Sequence, residues 1–150
     1  MNFTKTVPIP AFTFKRHEKL KSRKLTEKLF KTGSSFNHYP FRVVYLLSGT
    51  GFAVPEGKAF RPDCPVQFGV AAGARNFKKA VHRNRVKRLV REAWRLQKHT
   101  VIQQALERNI QVAVFFMYTG KELPGYPLVT EKMGGAIKKL VQQLNTVQQP

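Results

Sequence analysis

The chain has 150 residues, a length that suits a single domain with one modest core. Its 27 Lys and Arg residues against 8 Asp and Glu give a net charge of +19, so the expected partner is a polyanion, with nucleic acid first and an anionic membrane surface second. A hydrophobic content of 42% excludes a disordered basic tail, and no apolar run approaches the roughly 20 residues of a membrane span. The single cysteine excludes an intramolecular disulfide and a paired-cysteine metal site. With no secretory signal pattern at the N-terminus, we expect a cytoplasmic protein.

The N-terminal part divides into an arm and the start of a folded body. Residues 1–13 contain two prolines and no periodicity, which predicts a flexible arm. Residues 14–145 are predicted to form one domain, followed by a frayed tail over 146–150. Within this domain, Ser22 as an N-cap and Gly33 after the last turn predict a helix over 23–32.

Two segments rich in β-branched and aromatic residues predict strands, over 41–47 and 66–72. Alternation places one set of side chains of the first strand on a common face: Phe41, Val43, Tyr45 and Leu47. Residues 34–40 are predicted to be a turn, and the Gly- and Pro-rich residues 48–65 a long loop.

The segment 75–95 is the most strongly charged part of the chain. Advancing about 100° per residue predicts an amphipathic helix that runs to about His99 or beyond, with Leu106 closing it. Like charges lie one helical turn apart at Lys87/Arg91 and Arg91/Arg95, an arrangement that repels itself unless an anion is bound. Arginine is well suited to phosphate because its planar fork can donate two parallel hydrogen bonds. The cations expected to contact a polyanion are Arg75, Lys78, Lys79, Arg83, Arg85, Lys87, Arg88, Arg91 and Arg95, with Lys98 on the same arc and Glu92 as the segment's only carboxylate.

The remaining elements complete the predicted fold. Residues 110–118 are nearly all apolar and predict a buried strand, and Thr130 is predicted to cap a last helix. The core stripe of that helix is predicted to be Met133, Ile137, Leu140, Val141 and Leu144. The order of elements indicates an α+β fold, an α/β sandwich with helices packed on one sheet.

No constellation of residues predicts a catalytic site in the protein itself. The carboxylates are scattered, and the histidines are not at metal-ligand spacing. Basic residues interleaved with aromatics instead favour RNA, with Phe30 and Tyr45 as candidate base-stacking residues whose alternative is ordinary core packing. A structural or ribosomal RNA-binding protein, a DNA-binding regulator and a membrane-surface protein are the alternative functions.

The basic segment resembles a known signature. Arg83-Asn84-Arg85, Lys87-Arg88 and Arg91-Glu92-Ala93 resemble the motif of the bacterial ribonuclease P protein subunit, and the likeness extends over about Phe14 to Leu144. It implies one mixed sheet of about four strands and a left-handed crossover at the basic helix. It also implies a catalytic RNA as partner, removal of the 5′ leader from precursor tRNA by hydrolysis, and Mg²⁺ held by that RNA.

The resemblance also assigns roles to single residues. The implied contacts to the catalytic RNA are Arg83, Asn84, Arg85, Lys87, Arg88 and Arg91, and the implied leader-binding aromatics are Phe30 and Tyr45. Two positions depart from the family pattern. Thr26 stands where many members have an aromatic residue, and Asn76 stands where many have a lysine.

Overall fold

One mixed sheet carries all the strands in the computed structural model, which describes residues 18–21, 23–48, 65–108 and 110–146. Within those ranges the strands are β1 (Ser34–His38), β2 (Phe41–Ser48), β3 (Val66–Ala72) and β4 (Gln111–Tyr118), and the helices are α1 (Arg23–Thr32), α2 (Ala80–Gln97), α3 (His99–Arg108) and α4 (Tyr126–Thr146). Among these helices, none has the length and apolarity needed to cross a bilayer. The predicted arm over 1–13, the Ser22 cap, nearly all of the predicted loop 48–65 and the tail from 147 lie outside the described residues.

The strands lie in the order β1-β2-β4-β3. β1 pairs antiparallel with β2 and β2 antiparallel with β4, whereas β3 and β4 are parallel neighbours. The connection between those parallel strands consists of α2 and α3, as a crossover requires. The predicted α+β fold with one mixed four-stranded sheet is therefore confirmed, while the left hand of the crossover stays a prediction.

Each face of the sheet is covered by different helices, because successive strand residues point to opposite sides. On one face, Phe41, Val43 and Tyr45 belong to the main core with the buried stripes of α2 and α4. On the other face, α1 packs its buried Leu25 and Leu29 into a smaller core formed with the sheet. The face under α1 is the one that the described residues leave partly open.

The segment 34–40 was predicted to be a turn, and this is wrong for most of it. Residues 34–38 form β1 at the edge of the sheet, and only Tyr39 and Pro40 form the turn into β2. The segment has a single large apolar residue, Phe36, whose ring packs against the main core at 6.1 Å from the Tyr45 ring. A short edge strand with so little apolar content gives almost no periodic signal.

The basic helix ends earlier than predicted, at Gln97, and α3 begins at His99. Lys98 at this junction is only 1% exposed, and its ammonium forms an ion pair with the carboxylate of Glu18. The prediction that Lys98 lies on the solvent-facing basic arc is therefore wrong. A charge buried to this degree needs a counter-charge beside it, which here is the Glu18 carboxylate.

The last helix begins at Tyr126 rather than at a cap formed by Thr130. Pro127 in its first turn is tolerated because an N–H there would lack an intrahelical acceptor in any case. The predicted core stripe is confirmed: Met133, Ile137, Leu140 and Leu144 are buried, and Val141 is partly buried against them.

Candidate nucleic-acid interface

The orientation of α2 is set by its apolar stripe. Val86, Val90, Ala93 and Trp94 are buried, and the Trp94 ring stacks on Phe68 of β3 with the centroids 4.4 Å apart and the planes 8° from parallel. This packing leaves the opposite side of the helix facing solvent. We call that side the basic face, and it consists of Asn84, Arg85, Lys87, Arg88 and Arg91, of which all but the partly buried Lys87 are exposed.

The cations of the basic face carry no compensating charge within the described residues. Neither Arg85, Arg88 nor Arg91 forms an ion pair there, and the same holds for Lys87. The repulsion predicted between Lys87 and Arg91 is therefore present without local relief. A surface of this kind favours a bound polyanion.

Arg95 differs from the other predicted RNA contacts. Its guanidinium forms a forked ion pair with Glu92, with Nη2 2.5 Å from Oε2 and Nε 3.1 Å from Oε1. The hydrogen bonds from Arg95 hold the pKa of the Glu92 carboxyl below its ordinary value. The only carboxylate of α2 thus matches the charge of Arg95, which makes this arginine a weaker candidate for phosphate than Arg91, one turn before it.

Arg83 has a bracing role that the sequence did not indicate. Its Nη1 donates hydrogen bonds to the carbonyl oxygens of Phe77 at 2.8 Å and Lys78 at 2.9 Å. These bonds tie the first turn of α2 to the loop that precedes it, while the rest of the guanidinium fork remains available for phosphate.

The basic helix begins at Ala80, three residues before the Arg83-Asn84-Arg85 motif, and Lys79 before it forms no side-chain capping hydrogen bond. The N–H groups exposed at the helix start therefore belong to Ala80 and its neighbour, not to the motif.

The loop between β3 and α2 adds charge beside the start of the basic face. Arg75, Lys78 and Lys79 are all exposed. Asn76 donates from Nδ2 to the carbonyl oxygen of Thr119, 3.3 Å away, which ties this loop to the one after β4. The predicted RNA-binding residues thus form one continuous surface along the loop and α2. Within this surface, Arg83 also ties the loop to α2, and Arg95 is paired with Glu92.

A second surface lies on the open part of the sheet beside α1. Pairing between strands places Val44 beside Phe115, and Arg42 beside Met117 on the same face. Leu25 and Leu29 of α1 cover Val44 and Ala113. The part left open, which we call the sheet cleft, consists of Phe30, Asn37, Arg42, Phe115 and Met117.

Aromatic rings and a cation line this cleft. Phe30 on α1 is 46% exposed and meets Phe115 edge to face, with centroids 5.2 Å apart and planes at 75°. A Cβ on Gly69 would lie 2.6 Å from Cδ1 of Phe115, so the Phe115 ring fits against β3 only because this position has no side chain. Arg42 is exposed on the same face. Flat apolar rings beside a guanidinium match the bases and phosphates of a single strand.

The prediction that Tyr45 belongs to this cleft does not agree with the structure. Tyr45 is 6% exposed on the opposite face of the sheet, where its hydroxyl donates to Oε1 of Gln143 on α4 at 3.1 Å. Burial raises the pKa of that hydroxyl. Strand alternation gives the place facing α1 to Val44, and the sheet aromatic in the cleft is Phe115. Sequence reasoning missed Phe115 because β4 is apolar on both faces; the exposed Arg42 within an apolar strand was the available signal.

No cluster of three His, Cys, Asp or Glu side chains suited to a metal ion occurs in the described parts of the chain. The described surface offers cations and aromatic rings that suit a nucleic acid.

The chain is similar to ribonuclease P proteins over most of its length. The family model for ribonuclease P matches residues 14–140. The ribonuclease P protein component of Porphyromonas gingivalis strain W83 is 37% identical over 124 residues, which cover 83% of each chain. That of Chlorobium phaeobacteroides is 28% identical over 128 residues, covering 81% of this chain and 83% of the other.

The fold is also found among solved structures. The Staphylococcus aureus RNase P protein superimposes with a TM-score of 0.59 at 14% identity, covering 82% of this chain and 94% of that one. At this identity the likeness supports the fold, whereas the family follows from the match over residues 14–140 and from the Porphyromonas relative. The chain belongs to the ribonuclease P protein family, as the protein component of a ribonucleoprotein endoribonuclease of tRNA processing.

Proposed function

We propose that this chain binds the catalytic RNA of ribonuclease P through the basic face of α2 and holds the 5′ leader of precursor tRNA in the sheet cleft. The RNA then hydrolyses the bond that releases the leader, using Mg²⁺ that the RNA itself holds. The observation that carries the proposal is the pair of separate surfaces, one rich in unmatched cations and one lined by the exposed Phe30 ring and the partly buried Phe115 ring.

The basic face suits a folded RNA because the helix that carries its charges is fixed against the sheet. The stacked Trp94 and the buried Val86 and Val90 hold the helix against the sheet. Arg85 and Arg91 lie six residues apart, about 9 Å along the helix axis at 1.5 Å per residue. Cations held at such spacing can meet phosphates of one RNA surface, and each contact releases counterions.

The sheet cleft suits a single strand because it offers stacking without base-specific donors. Phe30 and Phe115 present ring edges and faces, and Arg42 supplies a cation for the backbone. Stacking on aromatic rings tolerates any base. A protein that must accept the leaders of many precursor tRNAs needs this tolerance.

The division of labour leaves the chemistry with the RNA. The protein contributes affinity for the leader, so the complex distinguishes precursor from mature tRNA by a segment that the product lacks. We place this activity in the cytoplasm, because the ribonucleoprotein would meet precursor tRNA there.

The test compares precursor tRNA with mature tRNA as ligands of the complex reconstituted from this protein and a bacterial ribonuclease P RNA. We expect Phe115→Ala to weaken precursor binding by on the order of tenfold, since stacking is worth about 1–3 kcal/mol per base, and to leave mature tRNA binding unchanged. Leu106→Ala on α3, also a partly exposed apolar residue, serves as the control. Equal losses for both RNAs would show that the cleft does not hold the leader.

A further inference from the structure

Tyr39 stands out among the exposed apolar residues because its ring is the least covered by the described part of the chain. It is 71% exposed, at the tip of the turn between β1 and β2. The other large exposed side chains are aliphatic apart from Phe30, which already belongs to the sheet cleft. An aromatic ring that is held in water on so basic a protein is a candidate for stacking on a nucleic-acid base.

The turn that carries Tyr39 is held firmly to its neighbour. The carbonyl oxygen of Pro40 accepts two hydrogen bonds from Thr119, one from the backbone N–H at 2.7 Å and one from the hydroxyl at 3.0 Å. The carbonyl of Thr119 in turn accepts the bond from Asn76. One residue thus joins the β1–β2 turn, the loop after β4 and the loop before α2.

The position of Tyr39 follows from the register of the sheet. Phe41, Tyr118 and Ala72 are paired across β2, β4 and β3 and form the last row at this end. The row just before it contains Arg42 and Met117 of the sheet cleft. The turn that carries Tyr39 therefore lies at the end of the sheet, one row of residues beyond the sheet cleft.

The same end of the sheet leads to the basic face. The loop that follows Ala72 begins two strands away from β2, a distance of about 10 Å at the usual strand spacing. Arg75 is exposed on that loop, and Lys121 is exposed on the loop between the two. Along this end of the sheet, the Tyr39 turn, the Lys121 loop and the Arg75 loop therefore follow one another in strand order toward the basic face.

We propose that Tyr39 stacks on an unpaired RNA base at the point where the RNA strand leaves the sheet cleft and turns toward the basic face. The inference rests on the proposed function and adds a contact between its two surfaces. The ring would stack on one base, while Lys121 and then Arg75 would meet the phosphates that lead from that base toward the basic face. Since stacking adds no ionic contact, the tyrosine would contribute affinity that is independent of salt.

The experiment uses the complete ribonucleoprotein and a set of precursor tRNAs, each with a single 2-aminopurine at a different leader position. Stacking on a ring quenches the fluorescence of this base. We compare the unchanged protein with Tyr39→Ala and Tyr39→Phe, and use Leu106→Ala as the control, since Leu106 lies on α3 before the opposite end of β4. The affinity of each complex for the precursor is measured at several salt concentrations.

We expect a leader position whose fluorescence is quenched with the unchanged protein and with Tyr39→Phe, and restored with Tyr39→Ala. The alanine variant should bind the precursor on the order of tenfold more weakly, with an unchanged dependence on salt. The stacking role would be overturned if every quenched leader position stayed quenched with Tyr39→Ala and this variant bound the precursor within about twofold of the unchanged protein. That result would leave the proposed function standing. Absence of any leader-dependent binding by the unchanged protein would overturn the proposed function and this inference together.

Discussion

Arg91 offers the sharpest test of the basic face. It is exposed on α2 and forms no ion pair within the described residues, so Arg91→Ala removes one charge without exposing a former partner. The substitution also replaces a surface residue of a helix interior by the best helix former, which keeps the fold stable. Any loss of RNA affinity then reports the lost cation.

The size of the effect follows from counterion release. Each phosphate contact contributes about 0.7 to 0.9 to the slope of log affinity against log salt, with the lower value for single strands. Losing one contact makes the slope shallower by that amount. Between about 50 and 200 mM salt, the affinity of the variant should therefore fall about threefold less than that of the unchanged protein.

The assay is the affinity for the ribonuclease P RNA measured over that range of salt. Lys138→Ala is the matched control, because Lys138 is exposed on α4 and is not part of the basic face, and its loss changes the net charge by the same amount. We expect a shallower slope for Arg91→Ala and an unchanged slope for Lys138→Ala. Identical slopes for both variants would refute the argument, since the effect would then come from net charge rather than from a contact.

Three further predictions concern the cleft and the stability of the domain. Gly69→Ala should displace the Phe115 ring, because the new Cβ would lie 2.6 Å from it, and should weaken binding of precursor but not mature tRNA in the same affinity assay. Glu18→Gln should lower the free energy of unfolding by about 3–5 kcal/mol in urea denaturation, because it removes the carboxylate that pairs with the buried Lys98 ammonium; pairing Glu18→Leu with Lys98→Met should recover most of that loss. Burial, with smaller contributions from Tyr39 and Glu122, raises the pKa of Tyr118 above its ordinary 10.0. The unfolded chain therefore ionises first, so stability should fall as the pH rises through about 10, and this fall should be smaller for Tyr118→Phe; an equal fall in both proteins would exclude the tyrosine as its cause.

The apolar and basic faces of α2 could be predicted because their signal is local, although the end of the helix could not. Like charges on one arc and apolar residues on the other define a helix face without any knowledge of the rest of the fold. The exception is Lys98, which lies on the basic arc by angle but is buried by the chain around it. Its counter-charge, Glu18, is 80 residues away, and no periodic pattern connects the two.

The sheet cleft could be predicted only in part, because its outline depends on which face each helix covers. Alternation correctly groups Phe41, Val43 and Tyr45, but it does not say whether that group faces α1 or α4. The structure places the group under α4, which removes Tyr45 from the cleft and puts Phe115 there. When both faces of a strand are covered, both carry apolar residues, and the sequence does not distinguish the two faces.

The length of elements was least predictable where tertiary contacts decide it. β1 exists because it can pair with β2, since its own sequence contains mainly Ser, Asn and His around Phe36. α4 begins a turn before the predicted cap, at Tyr126, with its first bond from the Val129 N–H to the Gly125 carbonyl. Such boundaries follow from packing rather than from local preference.

The measurement that tests the account most directly is reconstituted cleavage. The purified protein is mixed with a bacterial ribonuclease P RNA and 5′-labelled precursor tRNA at low Mg²⁺, and the released leader is followed over time. We predict cleavage that needs both components, and a rate at limiting substrate that falls when Arg91 or Phe115 is replaced by alanine. A leader released by the RNA alone at the same rate, or tight binding of the protein without any gain in cleavage, would contradict the account.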